Sequence, residues 1–356
     1  MNTPTATTLK HIAEHLGLSI AAVSMALRDH ASLPATTIAR VKRAALKLRY
    51  TPNSAGSALA AHRQQLRVRR DFSVIALVSN WPARDDWLQR PSAQRLLAGA
   101  TARARAYGYE LQHHWAREDG MTPARFSRVL ASRGIRGLIV APLEHPDSHL
   151  DLAWEHFSTV TIERPVRYAH FHHIVPNYSA DLRLAWAHLR ERGYLRIGLV
   201  IDAGLAERVA HQWEAAHAFE QTRSARPGAV VPTLVVDGTD APGAIGDWLR
   251  QHDPDAVISR CNEVLAAAAA LKRRIPRDLG YASLNVVDDA PGVSGILQHR
   301  DVMGATAVDV LHSLLHRNHR GPHEIAQGTQ IDGSWHEGRT VARPSQRRGV
   351  PPRRAT

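Results

Sequence analysis

Between residues 1 and 70 the chain carries eleven cationic side chains: Lys10, Arg28, Arg40, Lys42, Arg43, Lys47, Arg49, Arg63, Arg67, Arg69 and Arg70. Only Glu14 and Asp29 oppose them, a local charge of +9. Ammonium and guanidinium groups at this density suit one chemistry above others, the neutralisation of phosphates on a polyanion with release of its counterions. A second basic run, RPSQRRGVPPRRAT, closes the sequence with five arginines and no acid. The whole chain of 356 residues has a formal charge of +12, so the long middle section is left at about −2. Cationic chemistry is therefore concentrated at the two ends, and the N-terminal end has the charge of a nucleic-acid-binding module.

Other chemistries find little support. Cys261 is the single cysteine, which rules out an intramolecular disulfide and a cysteine-based metal cage. The 22 histidines show no paired metal-ligand spacing. His170, His172 and His173 in YAHFHHIVP, like His113 and His114, would alternate between the faces of a strand. No metal or cofactor is expected. Neither a Gly-x-Ser-x-Gly elbow nor a phosphate-binding glycine loop occurs in a strand–turn–helix setting, so an enzyme is not expected either. No apolar stretch reaches the ~18 residues that span a bilayer, and with one cysteine and no leader-like N-terminus a cytoplasmic protein is expected.

The elements that would position the basic residues are legible. Leu9, Ile12, Ala13 and Leu16 recur at helical spacing behind Thr8, and Gly17 ends that helix. Ser19 caps a second helix with Val23, Ala26 and Leu27 on one face. A third helix from about Pro34 has Ile38, Val41, Ala45 and Leu48 on its stripe and Arg40, Lys42, Arg43, Lys47 and Arg49 around the rest. Two short helices joined by a glycine-containing turn form a helix-turn-helix pattern.

At this point the sequence resembles the LacI/GalR family of transcriptional regulators. The resemblance is carried by TLKHIAEHLGLSIAAVSMALRDH, ARVKRAALKLRYTPN, the Tyr50-x-Pro52-Asn53 junction and SAGSALA. It implies that helix two lies in the major groove of double-stranded DNA, with Ile20, Ala21 and Met25 toward base edges. It also implies contacts from Leu9, Ser19, Ser24, Arg28, Thr37, Tyr50 and Asn53. It makes 53–60 a hinge helix, with Gly56 at a close approach and Leu59 as a minor-groove wedge. Ile20 and Met25 depart from the usual polar residues. They make no bidentate hydrogen bonds, so base readout is expected to be weak and biased toward thymine methyls.

From Val74 onward strands alternate with helical patterns: VIALVS (74–79), YELQHH (109–114), GLIVAP (137–142), TVTIE (159–163), RIGLVI (196–201), AVVPTLVV (229–236) and DAVISR (255–260). Helical stretches fall at 92–107, 122–134 and 179–192. That alternation argues for parallel sheets covered by helices. The family resemblance continues through HLRERGYLRIGLV, DAVISRCNE, GILQHRDVMGATAVDVLHSLL and IDGSWHEGRTV. It implies a periplasmic-binding-protein-like sensor of two lobes with a ligand between them. Carried over by position, the ligand residues are Ser79, Asn80, Trp81, Arg208, Trp213, Asn262 and Gln298. Two departures stand out. The spacer VAHQ between Arg208 and Trp213 is one residue long for the family and lacks its glycine, and Ala282 occupies a position that is commonly acidic.

The expected architecture is thus an α-helical helix-turn-helix headpiece (1–52), a hinge helix and basic linker (53–70), an α/β sensor with two parallel-sheet lobes (71–341) and a disordered basic tail (342–356). Lobe one is expected over about 71–175 and 305–335, lobe two over about 176–304. The expected function is a homodimeric DNA-binding regulator, a repressor more than an activator, that binds a pseudo-palindromic operator under control of a sugar-like small molecule and not at a membrane. Two other readings stay open: a regulator controlled by a protein partner through a vestigial cleft, and a solute-binding domain with a decayed headpiece.

Overall fold

The computed structural model describes residues 7–27, 33–48, 50, 73–144, 150–163, 170–224, 230–237 and 241–342. The expected hinge and linker (53–70), the tail beyond Ala342, and Arg28, Asn53, Gly56 and Leu59 lie outside the described residues.

Three helices make the headpiece: α1 (Leu9–Leu16), α2 (Ile20–Leu27) and α3 (Ala35–Lys47). The ring nitrogen of His11 accepts the otherwise orphaned N–H of Thr8 at the start of α1 (3.2 Å). Gly17 stops that helix at φ 64°, a left-handed conformation that costs glycine little. Ser19 Oγ caps α2 by accepting from the N–H of Ala22 (3.1 Å). Pro34 directly precedes α3. Ile12, Ala13, Val23, Ala26, Val41, Ala44 and Ala45 are buried together, with Leu9, Ile38, Leu48 and Tyr50 packed around them. The seam of small and branched residues leaves the cationic stripe of α3 in water, where it costs nothing to keep charged.

The rest of the described chain forms two α/β lobes. The first sheet contains β1 (Ser73–Ser79), β2 (Tyr109–Trp115), β3 (Gly137–Val140), β4 (Ser158–Ile162), β5 (His172–Pro176) and β11 (Gly328–Ile331), in the order β11-β5-β4-β3-β1-β2. All its pairings are parallel. The second contains β6 (Ile197–Asp202), β7 (Leu234–Val236), β8 (Ala256–Ser259), β9 (Gly280–Ser283), β10 (Ser294–Leu297) and β12 (Ser334–His336), in the order β12-β10-β9-β8-β6-β7, with only β12 antiparallel. Helices α4 (Pro91–Ala106), α5 (Pro123–Ser132) and α11 (Arg300–His316) cover the first sheet. The second is covered by α6 (Tyr178–Glu191), α7 (Ala203–Arg208), α8 (Gln212–Ser224), α9 (Ala241–His252) and α10 (Glu263–Ala270).

Several boundaries differ from the sequence reading for identifiable reasons. The run 229–236 becomes a strand only at Leu234–Val236. Pro232 has no N–H to offer a ladder, and the N–H of Val231 is taken by Gln221 Oε1 (2.7 Å). The segments GYAS, SGIL and GTQI (β9, β10 and β11) are four-residue strands whose glycines and serines carry little strand signal. The chain returns to the first lobe at Arg300, earlier than residue 305, because all of α11 packs against α4. Ser334–His336 belongs to the second lobe, since β12 pairs with β10. Ala342, expected to open the tail, is buried in the core of lobe two, and its N–H bonds Tyr194 Oη (3.0 Å).

Helices α4 and α11 meet closely at two glycines. A Cβ on Gly99 would collide with the Asp301 carbonyl, and one on Gly304 with the Leu96 carbonyl, both rigid backbone. Replacing Gly304 by valine should separate the helices and cost about 3 kcal/mol. Urea unfolding checks this, and a loss below ~1 kcal/mol would show that the contact is not tight.

Candidate functional site

Two surfaces hold residues that the sequence reading singled out. On the headpiece, Ser19, Ile20 and Ala21 are exposed at the N-terminal end of α2, Ile20 by 49%. An exposed branched aliphatic residue at that point is available for apolar contact and donates no hydrogen bond. Ser24, Met25 and Thr37 are half-buried. Leu9 and Tyr50 pack on the headpiece core. Arg40 donates to the Leu16 carbonyl (2.7 Å), fixing α3 to the end of α1, while Lys42, Arg43 and Lys47 point to solvent.

The second surface is a cavity of about 660 Å³ between the lobes. Its walls come from the carboxyl ends of strands in both sheets: Trp81 after β1, Pro142 and Glu144 after β3, Glu163 after β4, Asp202 at the end of β6, Asp237 after β7, Arg260 after β8 and Gln298 after β10. Parallel strands aim their ends and following loops at one edge of each sheet, so facing edges make a cleft. Four aromatic residues line it, Trp81, Trp87, Tyr178 and Trp213. The Arg90 guanidinium covers one face of Trp81 at 4.6 Å, and the Trp81 indole donates to the Pro142 carbonyl (2.8 Å). Trp213 is buried edge-on to Tyr178, with centroids 5.3 Å apart. Its indole N–H is buried and has no hydrogen-bond partner among the described residues. An unpaired buried donor of this kind costs about 1–3 kcal/mol unless something accepts from it.

Side chains of one lobe reach the other across this cavity. Arg208 of α7 donates to the backbone carbonyls of Leu143 and Glu144 and pairs with Glu163 (3.5 Å), all in lobe one. Glu163 also pairs with Arg300 (3.4 Å), which donates to Gln298 Oε1 (2.7 Å). Gln298 donates to Asp181 (3.3 Å), and Asp181 accepts the N–H of Gly333 (2.9 Å). Residues 177, 298 and 332 lie where the chain passes between lobes, so this chain of contacts joins the cleft to its own hinges. On the other side, Asp288 of lobe two accepts the N–H of Ser92 in the first turn of α4 (2.9 Å). A carboxylate at a helix N-terminus is favoured by the orphan N–H groups and the dipole. Asn285 (3.0 Å) and Arg260 (3.5 Å) hold Asp288 there.

Of the residues predicted for the ligand, Trp81, Arg208, Trp213 and Gln298 line the cavity. Ser79, Asn80 and Asn262 do not. Ser79 Oγ is spent on His113 (2.7 Å), and Asn80 accepts from Arg117 (2.8 Å). Asn262 is exposed and bonds the Asp289 carboxyl. The VAHQ spacer turns through two consecutive left-handed residues, Ala210 (φ 51°) and His211 (φ 56°), and so delivers Trp213 to the cavity without a glycine. Ala282 is fully buried in the lobe core, whereas Asp288, six residues later, supplies a carboxylate to the cleft. Sequence reasoning missed Trp87, Arg90, Glu163, Tyr178, Asp288 and Arg300. The two loop residues lie in a stretch without periodicity, but Glu163 directly follows a predicted strand, a position where a charged residue merits notice.

A full-length arrangement of three N-terminal helices and two such lobes has known counterparts. The sequence profile of the periplasmic binding protein-like domain matches residues 186–339. The transcriptional regulator CelR in complex with cellobiose superposes with a TM-score of 0.57 at 19% identity, covering 94% of this chain and 99% of its own. The lac repressor dimer bound to operator and the anti-inducer ONPF gives 0.55 at 18% identity over 95% of this chain and all of its own. The chain has the LacI-type fold. A LacI-family regulator from Enterococcus faecium with bound ribose shares it over 76% of this chain and 99% of its own (TM-score 0.54, 14% identity). No match was found among curated protein sequences. Among the described residues, no helix of this LacI-type fold is long and apolar enough to cross a membrane.

Burial pushes the Asp181 carboxyl up to about 6, against the hydrogen bonds of Gly333 and Gln298 and the charge of Arg300, which favour the ionised form. The folded state therefore binds a proton more tightly than the unfolded state. From about pH 4 to pH 6 the unfolded chain releases it first, so stability falls as pH rises, by up to about 3 kcal/mol, and stays level above that window. In Asp181→Asn this fall should disappear, so that the variant gains on the wild type as pH rises through the window. A difference between the two proteins that stays constant from about pH 4 to pH 7 in urea unfolding would contradict the assignment.

Proposed function

We propose that this chain is a LacI-type transcriptional regulator that binds double-stranded DNA through its headpiece as a homodimer and senses a small molecule between its lobes. The observation that carries the reading is the conjunction of two sites on one chain. A three-helix module within a stretch of charge +9 exposes the start of its second helix. A two-lobed domain encloses a cavity whose walls belong to both lobes. A ligand touching both walls gains affinity only when they close, so binding and lobe geometry are coupled by linkage. Lobe closure would change the separation of the two hinge segments in a dimer and so the fit of both headpieces to a two-fold operator.

The effector is a hydroxyl-rich metabolite of carbohydrate type. Aromatic faces and edges receive its C–H groups, and Glu163, Asp288, Gln298 and Arg208 offer directional polar partners, with the indole N–H of Trp213 still to be satisfied. The solved relatives with cellobiose and ribose belong to the same ligand class. A vestigial cleft drew its support from the VAHQ spacer and from Ala282, and the spacer still leaves Trp213 lining the cavity. Ala282 lies in the core, and Asp288 brings a carboxylate to the cavity by another route. Contact of Ile20 and Met25 with thymine methyls gives a readout weighted toward A·T steps, and repression by occupancy is the simplest output.

Selection of fragmented genomic DNA by the purified protein across a salt series tests the reading. We expect a recurrent pseudo-palindromic site rich in A·T at the contacted positions, with genes of carbohydrate metabolism beside it. Only weak, steeply salt-dependent binding without a shared site would contradict sequence-specific regulation.

A further inference from the structure

All six strands of the first sheet run in one direction. Their carboxyl ends face the cleft, so their amino ends gather at the opposite pole of the lobe. The chain enters that pole at Ser73, arriving from the headpiece. The pole is built from 105–109, 131–137, 154–158, 170–173 and 312–328, the segments that close α4, α5 and α11 and open β2 to β5 and β11. These segments contain Arg105, Arg133, Arg136, Arg317 and Arg320 against Glu155 and Glu324. All five arginines are exposed. Within a section of the chain whose charge is about −2, one end of one lobe therefore stands at +3.

The arginines are also uncommitted. Among the described residues none pairs with a carboxylate, and the hydrogen bond of Arg320 to the Asn318 amide (3.0 Å) is neutral and exposed. Elsewhere in the lobes arginines are routinely tied down, as Arg103 is to Asp309 and Arg274 to Asp278. The same segments hold eight histidines: 156, 170, 172, 173, 312, 316, 319 and 323. His172, His323 and His319 form a three-ring stack with centroid spacings of 3.7 and 4.0 Å and nearly parallel planes. Burial and repulsion from neighbouring charges hold His172 and His323 below the usual imidazole range, so these two rings add no positive charge near neutral pH.

We propose that this pole of the first lobe is a second contact surface for duplex DNA, on which Arg133, Arg136, Arg317 and Arg320 meet the sugar–phosphate backbone flanking the bases that the headpiece reads. The inference rests on the DNA-binding reading given above. Exposed, unpaired guanidiniums suit phosphate oxygens, which they bind in a fork geometry. Such contacts add affinity equally for all sequences and steepen its dependence on salt, without altering base preference. In sequence, β1 at this pole is the first described lobe element after the headpiece.

The test compares the full-length wild type with a variant carrying Arg133→Gln, Arg136→Gln, Arg317→Gln and Arg320→Gln, and with a control carrying Lys272→Gln and Arg277→Gln on exposed positions of lobe two. The probe is a fluorescently labelled random-sequence duplex that extends a full helical turn beyond each side of a headpiece footprint. Affinity is measured against salt concentration. The pole variant should bind at least ~10-fold more weakly, with its log–log salt slope reduced by about 0.9 for each phosphate no longer neutralised, while the control keeps the wild-type slope. An unchanged thermal midpoint separates this result from misfolding. If the wild type binds but the pole variant matches it in affinity and slope, or the control is weakened as much per charge, the inference is overturned and the DNA-binding reading stands. If the wild type itself fails to bind the duplex at low salt, both fall.

Discussion

The carboxylate of Glu163 is held between two arginines from different parts of the chain, and the arrangement of the lobes depends on it. Arg208 approaches from lobe two and Arg300 from the segment that returns to lobe one, while Glu163 sits only 9% exposed at a backbone φ of 65°. A non-glycine residue in that conformation costs of order 1–3 kcal/mol and persists where its surroundings hold it. Removing the carboxylate would leave two largely buried guanidiniums facing each other, a loss of about 3–5 kcal/mol for a broken buried pair. From Glu163 the contacts run through Gln298 to Asp181 and Gly333, where the polypeptide crosses between the lobes. The cleft and its hinges are thus one polar network in a low-dielectric setting, where a change at one member is felt by the others.

Strand polarity organises the rest. Because each sheet is parallel over its length apart from β12, each lobe has two chemically distinct poles. Carboxyl ends carry the aromatic and acidic groups that face the cavity. The amino ends of lobe one carry arginine and histidine. The proposed ligand cleft and the proposed phosphate-binding pole are therefore separated by the length of the strands, and coupling between them would travel through the relative position of the lobes.

Much of this was legible in the sequence, and the exceptions have physical causes. The headpiece declares itself because its short helices rely on local signals, a capping serine at Ser19, a stop at Gly17 and tight apolar periodicity, all of which act within a few residues. Buried strands such as VIALVS and GLIVAP were equally plain. Short glycine- and serine-bearing strands were not, since their pairing is set by neighbours distant in the chain. For the cleft, the family resemblance, carried over by position, located Trp81, Arg208, Trp213 and Gln298. Ser79 and Asn80 came from the same resemblance but were captured by His113 and Arg117 of the neighbouring strand and its loop, a competition invisible without the register. Asp288 was missed because a 3₁₀ turn, Val286–Asp288, carries it back to the cavity from six residues past Ala282.

The central claim is that the state of the cleft sets the affinity of the headpiece for DNA, and the most direct measurement isolates the clamp. Affinity for a selected DNA site is compared between the wild type and Glu163→Gln, with small-angle scattering reporting the separation of the lobes. The account predicts that a loosened clamp changes DNA affinity by ~5- to 150-fold, the range of typical coupling between sites, while the headpiece itself is untouched. Lobes that demonstrably part while the DNA affinity stays the same would contradict it.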